Sequence, residues 1–287
     1  MRTGRHALLF LALLALNGAR AGEVPFEYSF DETYVGNADV SLRRQIPLTY
    51  DESDTVLDFI FTPRFSIGVL RLGFSYERFA FGYDQSVPLP NRLQTVSAVI
   101  GIDTQLSDSI LLRFEARPGV YTEDFDNPEW NAPFVVGGTY IYSPELQFVL
   151  GVGVDVERKY PVLPGGGVRW RFHPKWVLDA VLPTPRLDFE VSKSLTAYVG
   201  GNYKESNFRM NDHFGDDHGL PKLNDAVLTY SEVRVGTGLD WKVTDWLTVN
   251  AEAGYQPYRS FDYYRADLRY HEHSGAPYGM ISLHGAF

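Results

Sequence analysis

The stretch from Val233 to Tyr255 reads VRVGTGLDWKVTDWLTVNAEAGY and alternates apolar with polar residues on both sides of Thr244-Asp245. Alternation with a period of two is typical of β-strands whose two faces meet different surroundings. Each arm has about ten residues, the length that a tilted strand needs to cross a bilayer. This stretch therefore predicts a β-hairpin able to span a membrane.

The same pattern of two alternating segments joined by a short turn recurs along the chain. Short turns are expected at residues 107–109, 143–145, 173–175 and 192–194, and longer connections at 82–92, 122–131, 157–165, 210–225 and 264–276. Short turns that alternate with long loops are typical of outer-membrane barrels, in which the turns face the periplasm.

Strands can be counted back from the C-terminal segment if residues 183–185 form a turn on the long-loop side. The count gives about 14 strands, starting with residues 38–49, or about 12 if residues 176–191 form one bent, non-spanning segment or the first strand does not pair. We predict an all-β fold, a closed antiparallel up-and-down transmembrane β-barrel.

The N-terminus has the layout of a cleaved secretory signal peptide. Arg2 and Arg5 precede an apolar run at residues 7–16, and Ala19-Arg20-Ala21 matches a small-x-small cleavage site. A membrane anchor would need about 20 apolar residues. We therefore expect a signal peptide at 1–21, a periplasmic or lumenal lead at 22–37 and the barrel at 38–287.

Composition limits the function classes. The formal net charge of −10 disfavours nucleic-acid binding, which needs a basic face. The chain has no cysteine, so neither disulfides nor thiolate metal sites are available. The mean hydropathy of −0.20 argues against a helical membrane protein.

In a membrane barrel the apolar face of each strand meets lipid and the polar face lines the lumen. The predicted lumen face carries acids and bases in nearly equal number, which favours a narrow or partly closed lumen. The charged lumen residues singled out are Arg113, Glu115, Arg117, Asp155, Glu157, Arg169, Arg171, Glu232, Arg234, Asp240, Lys242 and Glu252. Aromatic residues beside the turns predict a girdle at the membrane–water interface, made of Trp170, Trp176, Trp241, Trp246 and Tyr255.

The chain ends YGMISLHGAF, where Ile281, Leu283 and Phe287 share one face. This ending resembles the C-terminal signature of bacterial outer-membrane barrels, which implies recognition by the barrel-assembly machinery. The runs YPVLPGGG at 160–167 and WVLDAVLPTPRL at 176–187 resemble an uncharacterised family of bacterial outer-membrane-type barrels, known as a domain of unknown function. That resemblance implies the fold and a Gram-negative outer-membrane location, and it implies no activity.

Three functions stay open at this stage. The first is non-enzymatic, porin-like passage or binding of small solutes, and the second is a structural or adhesion barrel with a plugged lumen. The third is a membrane-rim lipid hydrolase using His271, His273 and Ser274, but adjacent His273 and Ser274 would point to opposite faces of a strand.

We predict no catalytic residue, cofactor or metal, although loop 210–225 offers His213, Asp216, Asp217 and His218 to a divalent cation. The expected partners are outer-membrane lipid, lipopolysaccharide, the assembly machinery and a small solute, with no nucleic acid.

Overall fold

The computed structural model describes residues 25–41, 48–82, 87–125, 128, 130–272 and 274–287. They form one sheet with the segments β1 (Phe26–Ser41), β2 (Leu48–Phe61), β3 (Arg64–Phe65), β4 (Gly68–Gly82), β5 (Arg92–Ser107), β6 (Ile110–Ala116), β7 (Gly119–Thr122), β8 (Trp130–Asn131) and β9 (Phe134–Ser143). The sheet continues with β10 (Leu146–Val154), β11 (Val162–His173), β12 (Trp176–Val181), β13 (Arg186–Glu190), β14 (Leu195–Arg209), β15 (Val227–Lys242), β16 (Leu247–Tyr263), β17 (Leu268–Glu272) and β18 (Ala276–Ala286). Within these residues no helix is long and apolar enough to cross a membrane.

These segments make a closed antiparallel barrel of 14 strands, as predicted. β6 with β7, β8 with β9, and β17 with β18 each form one interrupted strand, and the two-residue β3 belongs to a turn. The first two interruptions fall at Pro118 and Pro133, which have no backbone N–H to give to a neighbouring strand. The barrel closes because β1 pairs with β18 on one side and with β2 on the other.

The barrel begins earlier in the chain than the sequence predicted. Residues 26–37 were assigned to a lead, but they form most of β1, which is paired along its length with β2 and β18. The alternation is hard to see because Asp31, Glu32 and Thr33 follow one another, so both faces are polar there. Residues 1–24 lie outside the described residues, and with them the proposed signal peptide.

The two ends of the barrel differ in their connections. The short turns after β5, β9, β11, β13 and β15 lie at one end, together with Phe26 and Phe287, and we call this the turn end. The opposite end, which we call the loop end, holds the longer connections, including residues 210–226. This segment contains a short helix, α1 (Phe214–Asp217), and a single 3-10 turn, Pro221–Leu223.

The wall is much lower on one side. β12 and β13 have six and five residues, whereas the adjacent β14 has 15. β13 pairs with β14 up to Gly200, and residues 201–209 extend beyond it towards β7. There Arg209 pairs with Thr122 in parallel orientation, and the Arg209 carbonyl accepts a hydrogen bond from the Glu123 N–H at 3.1 Å.

This contact closes a smaller ring at the loop end. It contains the nine strands β1, β2, β4, β5, β7, β14, β15, β16 and β17, and it leaves out β8 to β13. The ring is filled by apolar side chains, which we call the loop-end core: Tyr50, Phe79, Phe81, Leu89, Leu93, Phe208, Met210, Phe214, Leu223, Ala226, Leu228, Tyr230, Phe261, Tyr263 and Tyr270. Several of them come from the 210–226 segment, which was predicted only as one of the longer connections.

The outward face of the strands is apolar and exposed. Leu150 is 74% exposed and Ile281 59%, as expected for side chains that meet lipid. Trp170, Trp176 and Trp241 lie beside short turns of the turn end, and Trp246 stacks on Phe287 at a ring-centroid distance of 5.1 Å. Tyr255 lies farther along β16, where its hydroxyl donates a hydrogen bond to the Ser274 carbonyl. An interfacial girdle made of these side chains stays a prediction.

Candidate functional site

A network of charged side chains crosses the middle of the barrel. Arg259 pairs with Glu52 through Nη1 and Oε2 at 2.6 Å, and Arg234 lies 3.2 Å from Glu52 and 2.9 Å from Glu232. All of these side chains are buried, and Tyr230 donates a hydrogen bond to Glu52 at 2.6 Å. Buried charges of opposite sign must be paired to persist, so this layer fixes the strands against one another.

Every charged residue that the sequence analysis assigned to the lumen has a polar partner. Glu252 accepts hydrogen bonds from the hydroxyls of Tyr198 and Tyr278, and Arg117 contacts Glu115 at 2.9 Å. The remaining ion pairs are Arg113–Asp103, Glu115–Arg71, Asp155–Arg158, Glu157–Arg265, Arg169–Asp179, Arg171–Glu190, Asp240–Arg186 and Lys242–Asp245. A role of these residues along a solute path stays a prediction.

Two residues of this network, Glu52 and Arg259, were not predicted from the sequence, although they form a fully buried pair. The first strand was predicted to end at residue 49, but Glu52 lies well inside β2. Arg259 falls after a β-bulge, because Gln256 and Pro257 together face the single residue Arg234. The extra residue reverses which side chains point inward, so the alternation up to Tyr255 predicts the wrong face for Arg259. Pro257, inside an otherwise regular strand, was the available signal for this bulge.

Three cavities meet at Arg117. One of 430 Å³ opens at the turn end beside Ser29, Trp246 and His284, and one of 180 Å³ lies against Glu77 and Ser97. The third has a volume of 910 Å³ and lies under the low part of the wall, and we call it the side cavity. Arg117 lies in the interruption between β6 and β7, next to Pro118, and Asp58 lies 3.7 Å from its guanidinium.

The side cavity lies between the outward face of β14 and the inward face of β9, β10 and β11. Its β14 side carries Tyr203 and Glu205. On the opposite side, Gly137, Gly151 and Gly165 are cross-strand partners and form a strip of bare backbone. Val135, Val149 and Leu163 complete a largely apolar lining.

A carboxyl group of the loop end is perturbed by burial. Burial raises the pKa of Glu123 to about 7, and the nearby charge of Asp124 adds to the rise, while Asn211 and Arg92 oppose it. Glu123 lies just after β7, where its carbonyl accepts a hydrogen bond from the side chain of Gln94 at 3.2 Å. The group therefore titrates near neutral pH at the point where β14 crosses to β7.

The structure describes two of the three residues of the hydrolase hypothesis, His271 and Ser274. Glu272 is buried and lies 3.3 Å from Arg259 Nε, and the Ser274 carbonyl accepts a hydrogen bond from Tyr255. His271 is paired with Ser260 in the sheet, and His273 lies outside the described residues.

Two of the candidate cation ligands of loop 210–225, Asp216 and His218, make contacts within the loop itself. His218 contacts the Phe214 carbonyl through Nδ1 at 2.7 Å, and the Asp216 N–H donates to Asn224 Oδ1 at 3.0 Å. Among the residues that the structure describes, no three His, Asp or Glu side chains are grouped closely enough to hold a metal ion.

A closed antiparallel barrel with an apolar outer face and an ion-paired interior defines an integral membrane protein of the outer-membrane β-barrel class. The chain belongs to the family described as domain of unknown function DUF6268, whose model matches residues 61–272, and this confirms the resemblance inferred from the sequence.

The chain is similar in fold to solved structures. The COG4313 outer membrane channel from Pseudomonas putida F1 is similar with a TM-score of 0.52 at 7% identity, covering 94% of this chain and 98% of that one. The P. putida toluene transporter TodX gives a TM-score of 0.48 at 9% identity and covers 93% and 91%. At these identities the similarity concerns the fold. No curated protein matches the chain.

Proposed function

We propose that this protein is an outer-membrane barrel that binds small solutes and passes them without chemical change. The observation that carries this proposal is the meeting of three cavities at Arg117, which links the turn-end mouth to the interior below the low wall. The described loop end is filled by the loop-end core, so the proposed path does not follow the barrel axis. The similarly folded COG4313 protein is described as a channel, which supports this class of function.

The test is ion conductance of the refolded protein in planar bilayers, with Arg117→Ala compared with wild type. Removal of the Arg117 guanidinium should widen the junction of the three cavities and increase conductance. Arg169→Ala is the matched control, because Arg169 pairs with Asp179 at 2.8 Å and lines none of these three cavities. An equal response of the two variants would contradict a path through Arg117.

A second candidate is a structural or adhesion barrel with a plugged lumen. It is favoured by the fully buried Glu52–Arg259 pair and by the loop-end core, which together occupy the loop-end half of the described barrel. This candidate would be favoured if neither wild type nor Arg117→Ala conducted ions at any applied voltage, although both proteins were folded.

We also propose the route by which the protein reaches its membrane. Residues 1–21 would direct export, and the assembly machinery would recognise Ile281, Leu283 and Phe287. The stacking of Phe287 on Phe26 at 4.6 Å supports a role for the last residue in closing the barrel. The girdle aromatics would contact the interfacial lipid and lipopolysaccharide. Replacement of Phe287 by Ser should lower the yield of folded protein in cells more than in refolding from urea.

A further inference from the structure

The wall beside the side cavity is too low to span a bilayer. At about 3.3 Å per residue, the six residues of β12 extend about 20 Å, against about 30 Å for the hydrocarbon core. The tip of the β12–β13 hairpin, at Leu182 and Pro183, therefore lies within the depth of the lipid. The last backbone contact between β14 and the hairpin is a hydrogen bond from the Tyr203 N–H to the Pro183 carbonyl at 3.0 Å. Residues 204–209 of β14 continue beyond this contact towards the loop end.

The rim of the side cavity belongs to this lipid-facing surface. Leu182 and Tyr203 line the cavity beside the hairpin tip, and they are 59% and 40% exposed. Towards the loop end the gap is crossed by Arg158, whose Nη2 donates to the Glu205 carbonyl at 2.9 Å. The cavity thus borders the lipid on one side and Arg117 of the interior on the other.

The chemistry of the lining excludes a strongly charged occupant. Each cation of the lining already has an anionic partner: Arg117 lies 2.9 Å from Glu115, Arg158 3.5 Å from Glu205, and Lys204 2.9 Å from Asp54. Apart from Tyr203 and Glu205 on the β14 side, the rest of the lining is aliphatic or glycine backbone. A charged ligand would lose its hydration without gaining a free counter-charge, whereas an apolar ligand would gain from leaving water.

The shape of the lining adds a further restriction. Gly137, Gly151 and Gly165 place bare backbone side by side across three strands, a flat strip about 10 Å wide at the usual strand spacing. A volume of 910 Å³ lies within the range of small-molecule sites. A flat ring or a short chain can lie on such a strip.

From these observations we infer that the side cavity binds an uncharged apolar small molecule, which enters from the lipid between the β12–β13 hairpin and β14. The inference rests on the proposed function and names its solute class and its entrance. The bound molecule would then reach the turn-end mouth past Arg117, so that the path has one end in lipid and the other in water.

The absence of native cysteine allows a direct test with single-cysteine variants in proteoliposomes. Gly153→Cys reports on the side cavity, and a Cβ there meets only the Leu163 carbonyl, at 3.9 Å. Gly279→Cys is the control for lipid exposure, since Gly279 lies on the exposed face of β18 with its nearest Cβ contact at 4.0 Å. Ser29→Cys is the control for the water-filled mouth at the turn end.

Each variant is treated with pyrene maleimide dissolved in the bilayer and, separately, with a sulfonated methanethiosulfonate added to the water. Gly153→Cys should react with the lipid-borne reagent, as Gly279→Cys does. Naphthalene at about ten times its Kd should slow that labelling about tenfold, because only about one site in ten stays empty.

Two results would overturn the inference. One is labelling of Gly153→Cys by the aqueous reagent alone or by neither reagent, and the other is labelling that naphthalene does not slow. Failure of the proposed function would give other results. Ser29→Cys would not react with the aqueous reagent, and Arg117→Ala would not conduct ions in planar bilayers. Lipid labelling of Gly153→Cys could still occur in that case, so the two failures are distinguishable.

Discussion

Arg259 and Glu52 lie 207 residues apart in the sequence and form an ion pair of 2.6 Å in which both side chains are fully buried. Loss of one partner leaves the other charge buried and unpaired, which costs about 3–5 kcal/mol. We therefore expect Arg259→Met to lower the free energy of unfolding by about this amount. Urea titration in lipid vesicles, followed by tryptophan fluorescence, measures the change.

The matched control for this prediction is Lys242→Met. Lys242 pairs with Asp245 at 3.2 Å, and both side chains are exposed at the turn end. Exposed ion pairs contribute little to stability, so this variant should unfold like wild type. If Lys242→Met lowered the free energy of unfolding as much as Arg259→Met does, burial would not explain the contribution of the Glu52–Arg259 pair.

A second prediction concerns the close approach of β11 and β12. A Cβ added at Gly167 would lie 1.9 Å from the Ala180 carbonyl oxygen, so Gly167→Ala must push the strands apart. Overpacking of this kind costs about 1–3 kcal/mol. At Gly153 the nearest atom is 3.9 Å away, and Gly153→Ala should leave the urea midpoint unchanged. Equal urea midpoints for Gly167→Ala and Gly153→Ala would contradict the close approach of β11 and β12 at Gly167.

A third prediction concerns the 210–226 segment. Phe214 is 2% exposed within the loop-end core, and truncation of a buried phenylalanine costs about 3–5 kcal/mol. Phe214→Ala should release the segment, so that limited proteolysis of the folded protein with trypsin cuts at Lys222. Phe125→Ala, at an exposed phenylalanine, should stay resistant.

A fourth prediction concerns pH. The pKa of Glu123 is raised from 4.5 to about 7, so folding favours the protonated carboxyl. The resulting stabilisation is complete below about pH 4.5 and is lost as the pH rises through about 7. In detergent, the Tm of wild type should therefore fall between pH 5 and pH 8 by more than that of Glu123→Gln. Parallel pH profiles of the two proteins would show that Glu123 does not titrate in this window.

The fold could be predicted from the sequence because membrane strands repeat one local pattern. In the Val233–Tyr255 hairpin, register pairs run from Val235 and Tyr255 to Lys242 and Thr248, as the alternation indicates. The pattern failed at the polar run of Asp31 to Thr33 in β1, where both faces are polar, and at the bulge after Tyr255, where Pro257 is the only local signal that the inward face changes.

The candidate site was less predictable. Alternation places Arg234 and Glu232 on one face, but it says nothing about which residue of a distant strand lies opposite them. Pairs such as Arg234–Glu52 depend on the register of the whole barrel. Phe214 and Leu223 of the loop-end core lie in an irregular segment, where no period marks a side chain as buried.

The parallel contact between Arg209 and Thr122 has a consequence for the number of strands. Strands that alternate in direction can close a ring of odd number only if one neighbouring pair runs the same way, and β7 with β14 is that pair in the ring of nine. Barrel diameter grows with strand number, so the molecule tapers from its turn end to its loop end. Hairpins within the low wall could therefore be gained or lost during evolution, changing the width of the turn end while the narrow end keeps its own closure.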